Sequence, residues 1–217
     1  MTRVLITGAD TKLGVAVDDH FTARGAVTAA PPADTDHADR AAVRDAVRRA
    51  VERMGGIDVL VVAHGLPHVA AFTEQSMAEF WKHVDTTLTG SFLYAQAAAE
   101  HMRDNGTGGR IVLTTSRWHV GGAKLSAVAT AAGGIVALTK TLTRDFGAFG
   151  IGVNAVAIGN VDSEWSVCDL EGATPPLGRI GSVEQVAGVI GLLSRPELKA
   201  AVGQIVNADG GQSRNRV

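Results

Sequence analysis

Three side chains in this sequence of 217 residues combine the chemistry and the position needed for proton transfer: Ser116, His119 and His64. Each ends or follows a predicted apolar strand, 57–63 or 110–116. The carboxyl ends of parallel strands meet at one edge of a sheet, where ligands bind. Histidine exchanges protons near neutral pH. A Ser116–His119 pair with His64 across the crevice would therefore suit an elimination, an isomerisation or a hydrolysis.

The same residues also allow a plainer interpretation. His64, His68 and His119 would then be solvated loop residues without a chemical role. No carboxylate or thiol stands at ligand spacing from these histidines, so we expect no metal site. The single cysteine, Cys168, precedes Asp169, whose negative charge favours an inert thiol over a nucleophile.

The elements that must position these residues alternate between strands and helices. Helical patterns cover 13–24, a segment after Asp39, 76–102, 125–149 and a segment that opens with Ser182 and Gln185. Predicted strands cover 3–7, 26–30, 57–63, 110–116, 151–157 and 204–208. This alternation predicts an α/β fold, with a parallel sheet covered by helices on both faces, in one domain spanning 1–217.

Composition narrows the class of protein. Apolar residues make up 46% of the chain and charged residues 19%, as in a globular domain. The net charge of −2 and the scattered Lys and Arg predict no binding to nucleic acid or to an anionic membrane. The N-terminus is a strand rather than a targeting signal, and no apolar run has membrane-spanning length. We therefore expect a cytoplasmic protein with a small-molecule ligand.

Seven segments along the chain occur in a familiar order. Together they resemble the short-chain dehydrogenase/reductase family over nearly the whole chain. The resemblance implies a Rossmann-like doubly wound parallel sheet, an NAD(P) cofactor, reduction of carbonyl groups, and assembly into oligomers. The segments are "TGADTKLG" (7–14), "GGIDVLVVAHG" (55–65), "TLTGSF" (87–92), "RIVLTTS" (110–116), "GIGVNAVAIG" (150–159), "PLGRIGSVEQVA" (176–187) and "GQIVNADGG" (203–211).

The cofactor-binding parts depart from the family pattern. The phosphate-binding turn keeps Gly8, Leu13 and Gly14, but Lys12 replaces the middle glycine. A side chain there obstructs the approach of a pyrophosphate to the helix N-terminus, although an ammonium group can pair with phosphate. Asp10, in the same turn, would repel the phosphate.

The adenosine side is shortened. The segment 27–39 runs from the second strand almost directly to Asp36, which is a candidate cofactor-binding residue. This segment is too short to contain a crossover helix. We therefore expect about six strands, with the family's third strand and its crossover helix missing. Gly65 is the glycine that remains of the nicotinamide turn, and Thr87 replaces a structural Asn of the long helix.

The catalytic pair departs from the pattern as well. The family's Tyr-x-x-x-Lys positions fall on Val128 and Ala132, and neither side chain can exchange a proton. Ser116 matches the family's serine, Lys140 matches a non-catalytic position, and Tyr94 lies in another helix.

The substrate loop is short too. About ten residues follow Trp165 before the "PPLGRIG" segment, too few for a lid helix.

These departures favour a protein that has lost the standard carbonyl reductase machinery and binds NAD(P) weakly or not at all. The first hypothesis is a non-catalytic or assembly subunit, in a homo-oligomer or in a hetero-oligomer with an active family member. The second is an enzyme that uses Ser116 and the histidines for non-redox chemistry. The third is an oxidoreductase that holds its cofactor in a non-standard way, with Lys12 as phosphate clamp and His119 in place of the tyrosine.

Overall fold

A computed structural model describes residues 1–65, 67–169 and 174–213. Its described part contains one parallel sheet of six strands in the order β2-β1-β3-β4-β5-β6, so the predicted fold class is confirmed. The strands are β1 (Arg3–Thr7), β2 (Val27–Ala29), β3 (Val59–Val62), β4 (Gly109–Ser116), β5 (Ile151–Ile158) and β6 (Ile205–Ala208).

Helices cover both faces of the sheet. They are α1 (Lys12–Thr22), α2 (Arg40–Met54), α3 (Met77–Val84), α4 (Gly90–Asp104), α5 (Ser126–Phe146) and α6 (Val183–Leu193). The pattern of strand β1 shows why both faces are filled. Leu5 packs with the apolar residues of α2, α4 and α5, whereas Val4 and Ile6 point to the other face and pack with α1 and α6.

The edge of the sheet beside β2 is shortened, as predicted. Residues 30–39 contain neither a strand nor a helix, and Pro31 and Pro32 cannot extend the ladder of β2. Helix α2 then begins directly, with the Asp39 side chain accepting a hydrogen bond from the Ala42 backbone N–H at 2.7 Å. The third strand of the family and its crossover helix therefore have no counterpart between β2 and α2.

The helix predicted over 76–102 is interrupted. A π-helical turn (Asp85–Thr89) joins α3 to α4, and α4 continues to Asp104. The turn is rich in β-branched threonine, which lowers α-helix propensity. It also packs against Gly65: a Cβ added there would lie 2.6 Å from the Thr87 hydroxyl oxygen. The turn thus brings Thr87 against Gly65, at the start of the loop that follows β3.

Candidate active site

The carboxyl ends of β1, β3 and β4 form the edge where the predicted site residues lie. After β1, the chain turns through Gly8, whose φ of +68° favours glycine. A Cβ on Gly8 would lie 2.6 Å from the Ala63 carbonyl oxygen, and one on Gly14 would overlap the Gly8 carbonyl. Leu13 is buried beneath the turn. The two glycines therefore allow α1 to start directly against the end of β3.

Two carboxylates meet the first residue of α1. The Lys12 backbone N–H donates to Glu164 Oε1 at 3.0 Å, and Lys12 Nζ pairs with Asp162 at 3.1 Å. Thr11 caps the helix by accepting from the Gly14 N–H at 3.0 Å. The helix N-terminus therefore already holds an anionic group, and the Glu164 carboxylate stands where a phosphate oxygen would be held. A carboxylate oxygen held at this N–H shows that the N-terminus of α1 accepts an anion, which is the property that a dinucleotide phosphate requires.

A cavity of about 460 Å³ lies beside this turn, on the side where the sheet is shortened. Asp10, His37, Gly65 and Thr87 are among the residues that line it. Asp36 is exposed, and its side chain accepts from the Ala38 backbone N–H at 2.9 Å. Asp36 therefore shapes the turn that presents His37 to the cavity. Sequence analysis singled out Asp36 and missed His37.

His64 is held from both sides. Its Nε2 donates to the Thr86 carbonyl at 3.0 Å, so Nδ1 of the neutral ring accepts from the Thr7 hydroxyl at 2.7 Å. The ring stacks on His37 with centroids 4.2 Å apart, and His37 contacts the Tyr94 hydroxyl at 3.1 Å. Burial, aided by His37, lowers the pKa of His64 to about 3. His64 lies at the predicted edge, but these contacts suit a structural role better than proton transfer.

Ser116 and His119 are brought together at the end of β4. The buried Ser116 hydroxyl oxygen accepts from the Trp118 backbone N–H at 3.2 Å, which opens a short 3-10 turn (Arg117–Val120). His119 lies in that turn, partly exposed, and its Nδ1–H donates to the Ser116 carbonyl at 3.0 Å. This hydrogen bond leaves Nε2 of the neutral ring with its lone pair. The His119 ring is thus tied to the backbone of Ser116, and its Nε2 is an acceptor.

Val128 and Ala132 are both buried on α5, one turn apart. The Ala132 carbonyl accepts from the Thr115 hydroxyl at 3.1 Å, which ties α5 to the end of β4. Lys140 lies further along α5 and donates from Nζ to the Gly203 carbonyl at 2.6 Å. Val128 and Ala132 are therefore buried apolar side chains of α5, and the Lys140 ammonium group has a structural partner.

A second cavity of about 340 Å³ lies next to Arg117 and Trp118. Arg117 stacks on the Trp118 ring at 4.0 Å and donates from Nε to Asp169 Oδ1 at 2.7 Å, and the Trp118 indole donates to the same oxygen at 3.2 Å. Lys124 and Cys168 also line this cavity. Sequence analysis missed the Arg117–Asp169 pair, because residues 52 positions apart give no local signal.

The thiol of Cys168 fits the predicted inert role. Burial, together with the charge of Asp169, raises the pKa of Cys168 to about 12. Trp165 lies in the same 3-10 segment (Glu164–Asp169), and its backbone N–H donates to the Ser163 hydroxyl at 3.2 Å. The expected lack of a lid helix falls partly on residues 170–173, which lie outside the described residues.

Within residues 1–65, 67–169 and 174–213, no group of His, Cys, Asp and Glu side chains is arranged to hold a metal ion. Among these same residues, no helix combines the length and the apolar character required to span a membrane.

Comparison with known proteins identifies the family. Residues 2–213 match the model described as enoyl-(acyl carrier protein) reductase. The chain belongs to the short-chain dehydrogenase/reductase family. Membership implies NAD(P) as the cofactor class.

Individual relatives agree with this assignment. The chain is 31% identical to the (2S)-[(R)-hydroxy(phenyl)methyl]succinyl-CoA dehydrogenase subunit BbsD of Thauera aromatica, over 97% of this chain and 86% of that one. It is also 31% identical to the L-rhamnose 1-dehydrogenase (NAD(P)(+)) of Azotobacter vinelandii, over 81% and 72% of the two chains. A short-chain type dehydrogenase/reductase from Mycobacterium marinum superposes with a TM-score of 0.91 at 30% identity, covering 99% and 96%.

These relatives correct the first functional hypothesis. The expectation of a non-catalytic or assembly subunit is wrong, because the similar proteins are named as dehydrogenases and support a catalytic oxidoreductase. The expectation gave the apolar residues Val128 and Ala132 too much weight. The glycine turn before α1 and the cavities beside it and beside Arg117 and Trp118 remain in this chain.

Proposed function

We propose that this chain is an NAD(P)-dependent oxidoreductase that interconverts a hydroxyl and a carbonyl group on a small molecule. Family membership and the relatives named as dehydrogenases support this proposal. The carboxyl ends of the strands support it too, because one cavity lies there beside the glycine turn and another beside Arg117 and Trp118. The nicotinamide ring, when bound, would accept or supply the hydride.

Ser116 and His119 would handle the proton of the substrate oxygen. Oxidation of a hydroxyl releases a hydride from carbon and a proton from oxygen. The Ser116 hydroxyl already accepts a hydrogen bond from the Trp118 N–H, so its own proton can be donated to the substrate oxygen. His119 Nε2 would take the proton in oxidation and return it in reduction.

One observation carries this assignment: the 3.0 Å hydrogen bond from His119 Nδ1 to the Ser116 carbonyl. The carbonyl can only accept, so Nδ1 carries the proton and Nε2 is the basic atom of the neutral ring. The family's tyrosine and lysine positions hold Val128 and Ala132, which leaves the proton to another group. His119 is the histidine that follows Ser116 most closely in the chain.

The cofactor would lie along the turn of Gly8, Lys12, Leu13 and Gly14, with its adenosine end toward Asp36. We propose that its binding is weaker than the fold alone would allow. The helix N-terminus that would hold a phosphate is engaged by Glu164, and Lys12 is engaged by Asp162.

Assembly is part of the same proposal. The resemblance implies a dimer or tetramer formed through the segments 76–102 and 125–149 and the C-terminal helix and strand. These segments correspond to α3, α4, α5, α6 and β6. A groove between α4 and α5 is lined by Leu88, Phe92 and Leu138, and the Phe92 side chain is 43% exposed. An exposed aromatic ring beside apolar neighbours is consistent with contact to a second copy of the chain.

The test is turnover of a panel of secondary alcohols and ketones with NAD and NADP, followed by NAD(P)H absorbance. With the best substrate, His119→Ala is expected to lower kcat by about 100-fold, the lower range for loss of a general base. His101→Ala is the matched control, because His101 lies in the last turn of α4 at the opposite edge of the sheet. Equal kcat for His119→Ala and the wild type would refute the assigned role.

A further inference from the structure

We propose that Glu164 is a built-in competitor for the cofactor's pyrophosphate, and that its carboxylate sets the affinity for the dinucleotide. The inference rests on the proposed function, since it assigns this residue a role at the same phosphate-binding turn. It concerns the loop after β5, which sequence analysis treated as a shortened substrate loop.

The position of Glu164 carries the argument. Its Oε1 accepts from the backbone N–H of Lys12, the first residue of an 11-residue helix, at 3.0 Å. The first N–H groups of a helix lack intrahelical acceptors and lie at the positive end of its dipole. A carboxylate oxygen and a phosphate oxygen satisfy such a donor in the same way. The two anions therefore exclude each other at Lys12.

The surrounding charges strengthen the competition. Lys12 is the cation that would attract a phosphate, and its Nζ is paired with Asp162 from the same loop as Glu164. Asp10 stands in the turn itself. An incoming pyrophosphate thus meets three carboxylates and one ammonium group that is already engaged. Like charges at close range disfavour binding, and they do so more strongly at low ionic strength.

The contacts of Glu164 and Asp162 also allow them to leave. The Lys12 and Asp162 side chains are 57% and 81% exposed, and ion pairs of that exposure contribute little to stability. At the other end of the segment, Asp169 is fixed, because Oδ2 accepts from the Asn160 N–H at 2.8 Å and Oδ1 binds Arg117. When Glu164 is displaced, the movement is therefore limited to the part of the segment before Asp169. This arrangement fits an exchange of carboxylate for phosphate in which the contact between Arg117 and Asp169 is kept.

The test is calorimetric titration with inorganic pyrophosphate and, separately, with NADH and NADPH, at fixed low ionic strength. Glu164→Ala removes both the acceptor and the charge, whereas Glu164→Gln removes the charge alone. Glu52→Ala is the matched control: Glu52 carries the same charge, is exposed, and pairs with Arg48 on its own helix α2. Its position near the end of α2 places it at the opposite edge of the sheet.

Glu164→Ala is expected to lower the Kd for pyrophosphate by about three- to fivefold, a change matching the loss of one exposed charge contact. Glu164→Gln should give a smaller decrease, and Glu52→Ala should match the wild type. Equal Kd values for Glu164→Ala and the wild type, or no pyrophosphate binding by either, overturn the inference. Tighter pyrophosphate binding without any binding of NADH or NADPH would support the competitor and refute the proposed function.

Discussion

Two histidines at the same edge of the sheet have opposite surroundings. His64 is buried and hydrogen-bonded through both ring nitrogens, whereas His119 is partly exposed and held through Nδ1. The sequence could predict that both follow strands, because the strands are strongly apolar. The sequence could not show that their surroundings differ, because the contacts of His64 come from Thr7 and Thr86, which are distant in sequence.

The buried imidazole of His64 predicts sensitivity to acid. Its folded-state pKa of about 3 lies below the ordinary value of 6.5, so the unfolded chain binds more protons between these values. Stability is therefore expected to fall as pH drops below about 6.5, and at pH 5 His64 would account for roughly 2 kcal/mol of the loss. Chemical denaturation measured at several pH values tests this.

The variant His64→Gln lacks this titration and should show a flatter dependence of unfolding free energy on pH. Its stability at neutral pH should be lower, because the contacts to Thr7 and Thr86 change. Burial also lowers the pKa of His37, so the unfolding free energy of the variant should still depend on pH to some extent. His101→Gln is the control and should keep the wild-type slope. Equal slopes for His64→Gln and the wild type would contradict the assignment.

Among the elements, those with a continuous apolar pattern could be predicted and those set by distant contacts could not. The six strands and the capping pair Ser182–Gln185 of α6 are confirmed. The π-helical turn at 85–89 was missed, since it depends on the close approach of Thr87 to Gly65. The approach of Glu164 to Lys12 was missed for the same reason, because the residues are 152 positions apart.

The close packing of the glycine turn before α1 predicts how substitution of Gly14 changes stability. Gly14→Ala would force a Cβ into the Gly8 carbonyl, so the turn must shift. We expect a loss of at least about 2 kcal/mol in unfolding free energy, in the range for overpacked sites. Gly188→Ala in α6 is the matched control, because a Cβ there meets open space. That change should stabilise the protein by about 0.5–1 kcal/mol, as Ala favours helix over Gly.

Thermal and denaturant unfolding of both glycine variants would check the contrast. If Gly14→Ala were as stable as Gly188→Ala, the turn would not be held as tightly as described. If both variants had a lower free energy of unfolding than the wild type, the loss in Gly14→Ala could not be assigned to the packing of the turn.

At the scale of the whole molecule, the shortened sheet places the segment before α2 against the loop that follows β3. Residues 30–39 replace a strand and a helix, and His37 packs on His64 where the sheet is cut back. The length of the segment 27–39 was enough to predict the missing strand. The cavity beside the glycine turn could not be predicted, because it depends on side-chain packing and the spacing of apolar residues does not describe packing.

The groove between α4 and α5 gives a prediction for the assembled molecule. Phe92→Asp places a charge on this groove and is expected to shift an oligomer toward monomer, because a buried, unpaired carboxylate is costly at an interface. Val15→Asp on α1 is the control, since Val15 is similarly exposed at 50% and lies on another helix. Light scattering coupled to gel filtration measures the mass. An unchanged mass for Phe92→Asp relative to an oligomeric wild type would exclude this groove from the interface.

The proposed oxidoreductase must bind a nicotinamide dinucleotide, so calorimetric titration of the wild-type protein with NADH and NADPH is the decisive measurement. We expect saturable binding of at least one of the two, with a Kd between micromolar and millimolar, because the N-terminus of α1 accepts an anion while Glu164 competes for it. Absence of heat for both cofactors at millimolar concentration, in the wild type and in Glu164→Ala, would refute binding of the dinucleotide.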